Sequence, residues 1–365
     1  MSLRAWSILA LALAIASCQA HRPRPVIALG YPADGPAYAT VANTLSRTRA
    51  GVPRVPELLV DTGEVRHTPD AMVDWAQRVV GMRNVVAVIG PGNSQAALAS
   101  APVFNTAGIP QVVPMVTDRL IQVAGPWTFT MAPDDSVEAA FLVGYVVRVV
   151  GARRITLFYD NDAFGQSLRE SLVRECNAHG IRVLAQVAVL PNSDFELLLL
   201  AALRAGRPDA LVMATRALEV GTVASLAARR LPRVLVVAAD GALAPDRLVH
   251  LAGSGLANIR AVAFWVPDTT DPRQRAFIGA ARRVNGHDPD SDLAMTEDAI
   301  ALLSAAIDEV GPDRTAIRDW LRSLGRERPA FAGLTGPISF GPGQPHVLTM
   351  VRVGSDERVT RDTRQ

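Results

Sequence analysis

The sequence predicts an α/β protein of two lobes, each a parallel sheet covered on both faces by helices. Three observations lead there. Short apolar runs rich in valine and isoleucine alternate with segments of helical period, the pattern of strands buried on both faces and joined by crossover helices. The 365 residues are 49% hydrophobic, enough to bury one large core or two moderate ones. The alternation also restarts after a helix that ends at Gly151, and its later segments return to the first half, so the chain crosses between lobes three times, near residues 137, 263 and 332.

Residues 1–17 have a signal-peptide layout: Arg4, an apolar segment of about a dozen residues, then small residues, too short in all for a typical membrane span. Cleavage before Cys18 and cleavage near Ala20 both fit. A Pro/Arg-rich tether, 18–25, leads into the strand Val26–Gly30 and the loop Tyr31–Pro36. Tyr38 either reaches a cleft or packs on its own helix. The strand Glu57–Asp61 follows. Thr68-Pro69-Asp70 then opens a helix with a capping hydroxyl, a proline at the first helical position and an early acid, and Met72, Trp75, Val79 and Val80 mark its buried face.

The strand Val85–Ile89 stops at Gly90-Pro91-Gly92, and Ser94 opens the helical segment Ser94–Asn105. A second apolar run, Ile109–Val113, ends at Pro114, and Thr117 stands before another short helical pattern. Two strand ends thus each carry a hydroxyl, beside the free N–H groups of a helix N-terminus, an edge suited to a carboxylate. Trp127–Met131 alternates as a strand. Asp135 and Glu138 form an Asp-x-x-Glu capping pattern ahead of the next apolar helix.

The second lobe repeats the design. Its strands are Ile155–Tyr159, Val183–Val189, Ala210–Ala214 and Val234–Ala238. Helices start at Phe164, at Asp194 and at Val220, and the last strand ends in the Asp240-Gly241 turn. The strand Ile259–Val266 returns to the first lobe, followed by helices Pro272–Asn285, Asp292–Val310 and Ala316–Leu324. Ile338–Phe340 and Val347–Val353 read as a hairpin around Gly341-Pro342-Gly343. The first lobe is then 26–137 plus 264–332, the second 138–263 plus 333–354, and 355–365 a polar, frayed tail.

Composition excludes several classes. Net charge is +2, all basic side chains are arginine, and no concentrated basic face appears, so nucleic acid is not an expected partner. Cys176 lacks a second cysteine after Cys18, so no disulfide is expected, and it reads as a small packed thiol. It and His67, His179, His250, His287 and His346 lack ligand spacing, so neither a metal nor another cofactor is called for. Asp160-Asn161-Asp162 fails as a calcium loop because Phe164 and Ser171 stand where oxygen ligands belong. The G-x-S-x-G and H-E-x-x-H motifs are missing, and GPGNSQAA lacks a P-loop lysine, so no catalysis is expected.

The ordered set VIGPGNS, GIPQVVP, the threonine of MVTDRL, YDNDAFGQSL, Asp240-Gly241 and GPISFGPGQP resembles the type I periplasmic binding proteins of the leucine/isoleucine/valine class, which feed ABC importers. Ile15-Ala16-Ser17-Cys18 likewise resembles the lipobox of bacterial lipoproteins, whose cysteine is acylated. The resemblance implies a fold of two hinged lobes. It also implies a lipid-anchored, extracytoplasmic protein that captures an amino acid or similar small carboxylate and delivers it to an ABC permease. A same-fold lipoprotein acting as a protein-binding activator or ligand sensor is the alternative.

By this resemblance Ser94 and Thr117 contact the ligand's carboxylate, although both also read as helix caps. Met115 and Val116 contact it through the backbone. Asp240 pairs with its ammonium or simply opens a turn. The chain departs from the family pattern at Phe164, where a tyrosine is usual, and at Thr215-Arg216-Ala217, where aromatics are usual. Arg216 is either solvated or faces the cleft; in the cleft it would hold a second carboxylate or pair with Asp240 when the site is empty.

Overall fold

The computed structural model describes residues 24–31, 35–48, 55–60, 68–341 and 347–363. The expected signal segment, Cys18, the tether up to 23, His67 and part of the loop after Tyr31 lie outside the described residues.

The first lobe is built on β1 (Val26–Leu29), α1 (Gly35–Thr48), β2 (Glu57–Val60), α2 (Pro69–Val80), β3 (Val85–Ile89), α3 (Ser94–Ala107), β4 (Gln111–Val113) and β5 (Thr128–Thr130). Its strands are all parallel, in the order β2-β1-β3-β4-β5. Both β1 and β3 are buried along their whole length, as their unbroken apolar runs demand. On one face Met72, Trp75 and Val79 of α2 meet Phe104 of α3, with the Trp75 and Phe104 rings edge to face at 5.6 Å.

After α4 (Asp135–Tyr145) come β6 (Arg154–Asp160), α5 (Ala163–Ala178), β7 (Arg182–Val189), α6 (Phe195–Leu203), β8 (Ala210–Ala214), α7 (Ala217–Arg230), β9 (Leu235–Ala238), α8 (Pro245–Ala252) and β10 (Ile259–Ala263). The chain then returns through α9 (Pro272–Asn285), α10 (Ser291–Val310) and α11 (Arg314–Ser323); α9 and α10 pack on α1. A two-stranded ribbon, β11 (Phe331–Ala332) with β12 (Pro337–Ile338), precedes β13 (Thr349–Val353) and β14 (Val359–Arg361). The second sheet runs β14-β13-β10-β9-β8-β6-β7, with β13 and β14 antiparallel. The chain therefore passes between the sheets three times: after β5, after β10, and between β12 and β13.

Two expectations for the C-terminal part are overturned. Residues 338–340 do not pair with 347–353. Ile338 pairs instead with Phe331, and the largely buried β13 takes a place inside the second sheet between β10 and β14. The polar tail is not frayed through residue 363, because β14 closes a hairpin with β13. Asp362 beyond it is buried against Arg260, Nε to Oδ2 3.0 Å, and accepts the Tyr145 hydroxyl. A buried arginine needs such a carboxylate, which ties residue 362 to the second lobe. Tyr38 does not reach out; it is buried with its ring against Tyr31, centroids 5.2 Å apart. Cys176 is a buried free thiol, and burial pushes its pKa up to about 12. No helix among the described residues is long and apolar enough to cross a membrane.

Candidate functional site

The carboxyl ends of the two sheets face a common cleft, with a cavity of about 280 Å³. The first lobe contributes Gly92, Asn93 and Ser94 from the turn into α3, Met115 beyond β4, and Asp290, Ser291 and Asp292 at the start of α10. The second contributes Phe164, Arg216, Asp240, Gly241, Leu243 and Ala244 from the turns after β6, β8 and β9. This is where parallel sheets expose loops and helix N-termini to ligands. Five of the seven expected ligand residues meet here: Ser94, Met115, Phe164, Arg216 and Asp240. Val116 and Thr117 are buried behind the wall.

Neither hydroxyl is a cap, because a neighbour does that work. Asn93 accepts the Ala96 N–H at 2.9 Å, which leaves the Ser94 side chain at the cavity wall. Asp118 caps the short helical turn Arg119–Val123 by accepting the Leu120 N–H at 2.8 Å. Thr117 lies instead beside Asp135, whose N–H donates to the Thr117 carbonyl at 2.9 Å across the first passage between lobes. The turn before α3 needs its glycines, since a Cβ on Gly92 would come within 2.6 Å of the Tyr31 ring.

The expected cap of α4 is also displaced. Asp134 accepts the Ser136 and Val137 N–H groups, while Asp135 and Glu138 turn inward and are fully buried. Glu138 Oε1 accepts the Asp240 N–H at 2.8 Å, which brings the two carboxyls side by side. Desolvation raises both pKa values, and that of Glu138 is further raised by the Asp240 charge. Asp135 is pushed up to about 7 by burial, against the hydroxyls of Ser167 and Thr117, with help from the charges of Asp240 and Asp118.

Arg216 faces the cleft but does not pair with Asp240. Its Nη1 lies 2.5 Å from Asp160 Oδ2 and its Nη2 2.8 Å from Asp162 Oδ2, with the guanidinium 5.3 Å from the Phe164 ring centre. The Asp160-Asn161-Asp162 segment is thus the clamp of an arginine. Asp162 also caps α5 through the Gly165 N–H. Burial raises Asp160 to about 7 although Arg216 pulls it down. Phe164 in turn packs on Gly241, where a Cβ would sit 3.1 Å from its ring.

Sequence reasoning read Glu138 as part of a cap and Asp160-Asn161-Asp162 as a failed calcium loop, and placed neither these acids nor Asp290–Asp292 at the cleft. Glu138 meets Asp240 across 102 positions, and nothing local marks that contact. No group of acids, histidines and cysteines among the described residues has the arrangement of a metal site. The cleft can offer an anion the α3 N-terminus and Ser94, and a cation the Asp240 carboxylate.

A family model described as periplasmic binding protein matches residues 58–354. An amino acid binding protein of Pseudomonas aeruginosa is 22% identical over 258 residues, 70% of this chain and 68% of that one. Among solved structures, a leucine binding protein of Thermotoga maritima has a TM-score of 0.79 at 22% identity, covering 93% of this chain and 98% of its own. A branched-chain amino acid transporter substrate binding protein of Streptococcus pneumoniae, in complex with isoleucine, has a TM-score of 0.78 at 19% identity, covering 93% and 100%.

Proposed function

Because the chain belongs to the periplasmic binding protein family, we propose that it captures a small α-amino acid between its lobes and delivers it to an ABC permease, without catalysis. The observation that carries this reading is the polarity of the cleft: Ser94 and the α3 N-terminus on one wall, Asp240 on the other. A zwitterion bridges the two, and its charges favour closure because each lobe holds one of them. The relatives' amino-acid ligands support the same choice.

The surroundings of Arg216 refine the ligand. Two carboxylates already balance its charge, so a second ligand carboxylate would meet Asp160 and Asp162 as well as the guanidinium. A neutral side chain of moderate size suits a cavity of about 280 Å³ better than an acidic one. Calorimetry with apolar, amide and acidic amino acids tests this. Micromolar binding of a neutral amino acid is expected; binding of none of them would overturn the assignment.

The two lobes close about the three passages after β5, after β10 and between β12 and β13 on binding, which scattering would register as compaction. Residues 1–17 act as a secretion signal and Cys18 as a lipid anchor, on the strength of the apolar segment ending in a cysteine. Cys18→Ala should release the protein from membranes, and unchanged membrane association would sink the anchor.

A further inference from the structure

We propose that Glu138 is a positioning residue of the cleft that holds a proton, and through it keeps Asp240 as the charged member of the pair, presented to the ligand's ammonium. The inference rests on the amino-acid reading above. It adds a residue that touches no ligand, sits outside the cavity wall, and decides where the ammonium's partner points.

Three observations carry it. Glu138 is fully buried on α4, and its Oε1 takes the Asp240 N–H at 2.8 Å, which pins the turn after β9 from behind. Its other oxygen, Oε2, is buried and finds no donor among the described residues, and neither does Oδ1 of Asp240. Two adjoining carboxyls with donorless buried oxygens cannot both be ionised; one proton between them turns the repulsion into a hydrogen bond. The proton belongs on Glu138. Asp240 alone of the two lines the cavity, and it alone draws on the Gly241 N–H and on the positive charge of Arg216, both of which favour its carboxylate.

The other groups facing the pair agree with this assignment. Asp135, from the same helix, adds negative charge next to Glu138 and opposes its ionisation, and Asp118 acts on Asp135 in the same sense. Arg216 is the cation acting on Asp240, and its pairing with Asp160 and Asp162 leaves it too engaged to replace the proton. A glutamic acid so held does for Asp240 what a glutamine would: it accepts the backbone N–H with one atom and donates to the carboxylate with the other.

The test separates this idea from the ligand assignment. In the full chain labelled with ¹³C at glutamate side-chain carboxyls, a resonance at the protonated position at about pH 7.5, distinct from that of the equally buried Glu297, should vanish in Glu138→Gln. No ligand is needed for that arm. If no such resonance is lost, or the lost one is that of a carboxylate, the proposal is overturned whatever the protein binds.

The second arm is calorimetry with L-leucine and L-glutamine on wild type, Glu138→Gln and Glu138→Leu. Removing both hydrogen bonds in Glu138→Leu should weaken binding by about tenfold or more, whereas Glu138→Gln should recover most of it, within about threefold of wild type. Equal losses in the two variants, or no loss in Glu138→Leu, would contradict the positioning role. Should neither amino acid bind wild type, the amino-acid reading fails, while the resonance still decides whether Glu138 carries the proton.

Discussion

Two acid groups flank the cleft, and they solve the same electrostatic problem in different ways. Around Arg216, the carboxylates of Asp160 and Asp162 are neutralised by a cation within 2.8 Å, and the ion pairs keep 43% of the arginine side chain exposed. Around Asp240, no cation among the described residues makes contact; Glu138 and Asp135 press more acid against it in full burial. The first group is complete without a ligand. The second has a deficit of positive charge that only a proton or a bound ammonium relieves, and it lies on the wall where a ligand arrives. Acid content alone therefore does not mark a binding site; the marker is buried acid without a counter-charge in contact.

The largest effect should follow from removing the uncompensated charge. Asp240→Ala should cost an amino-acid ligand about 2–4 kcal/mol, read by calorimetry. Breaking the compensated group should act on stability more than on affinity. Arg216→Ala strands Asp160, whose side chain is only 12% exposed, and should cost about 1 kcal/mol in chemical denaturation, the exposed guanidinium keeping the figure low. An affinity loss from Arg216→Ala as large as that from Asp240→Ala would erase the contrast between the two groups.

A further effect on the second group is read by pH. Burial lifts Asp135 from 3.8 to about 7, so the folded chain prefers the acid form and the unfolded chain ionises first. Its favourable contribution to stability is complete below about pH 4 and drains away as pH climbs through 7. Asp135→Asn removes that loss. The stability of the variant relative to wild type should therefore rise between about pH 4 and 7 and level off above; a flat difference would mean that the acid is not buried with a raised pKa.

The smallest change concerns shape. Gly241→Ala brings a methyl to 3.1 Å from the Phe164 ring, close enough for the ring to shift by a few tenths of an ångström, and affinity should fall by less than about 1 kcal/mol. Melting temperature with and without ligand would register it.

How much of this was legible in the sequence follows from the range of each interaction. The strands β3, β6 and β8 and the helices that follow them are written in local periodicity, and Pro272–Asn285 is found at the bounds the sequence suggests. Five of the cleft residues were reachable because they sit at strand ends of a parallel sheet. The caps were misassigned by one position at Ser94, Thr117 and Asp135, since Asn93, Asp118 and Asp134 offer equally good side-chain oxygens. That one-position difference matters, because it releases Asp135 and Glu138 inward. Their destination, Asp240, and the clamp on Arg216 are contacts between turns that only the sheet order brings together. The order of β13 and β14, and with it the burial of Asp362, was hidden for the same reason.

One measurement tests the central claim most directly: the affinity of an α-amino acid set against its deaminated analogue, the matching α-hydroxy acid, on wild type and on Asp240→Ala. Asp240 should make wild type favour the ammonium-bearing ligand by about 2 kcal/mol or more, and the variant should lose most of that preference while binding the hydroxy acid much as before. A variant that still prefers the amino acid as strongly as wild type would contradict the account.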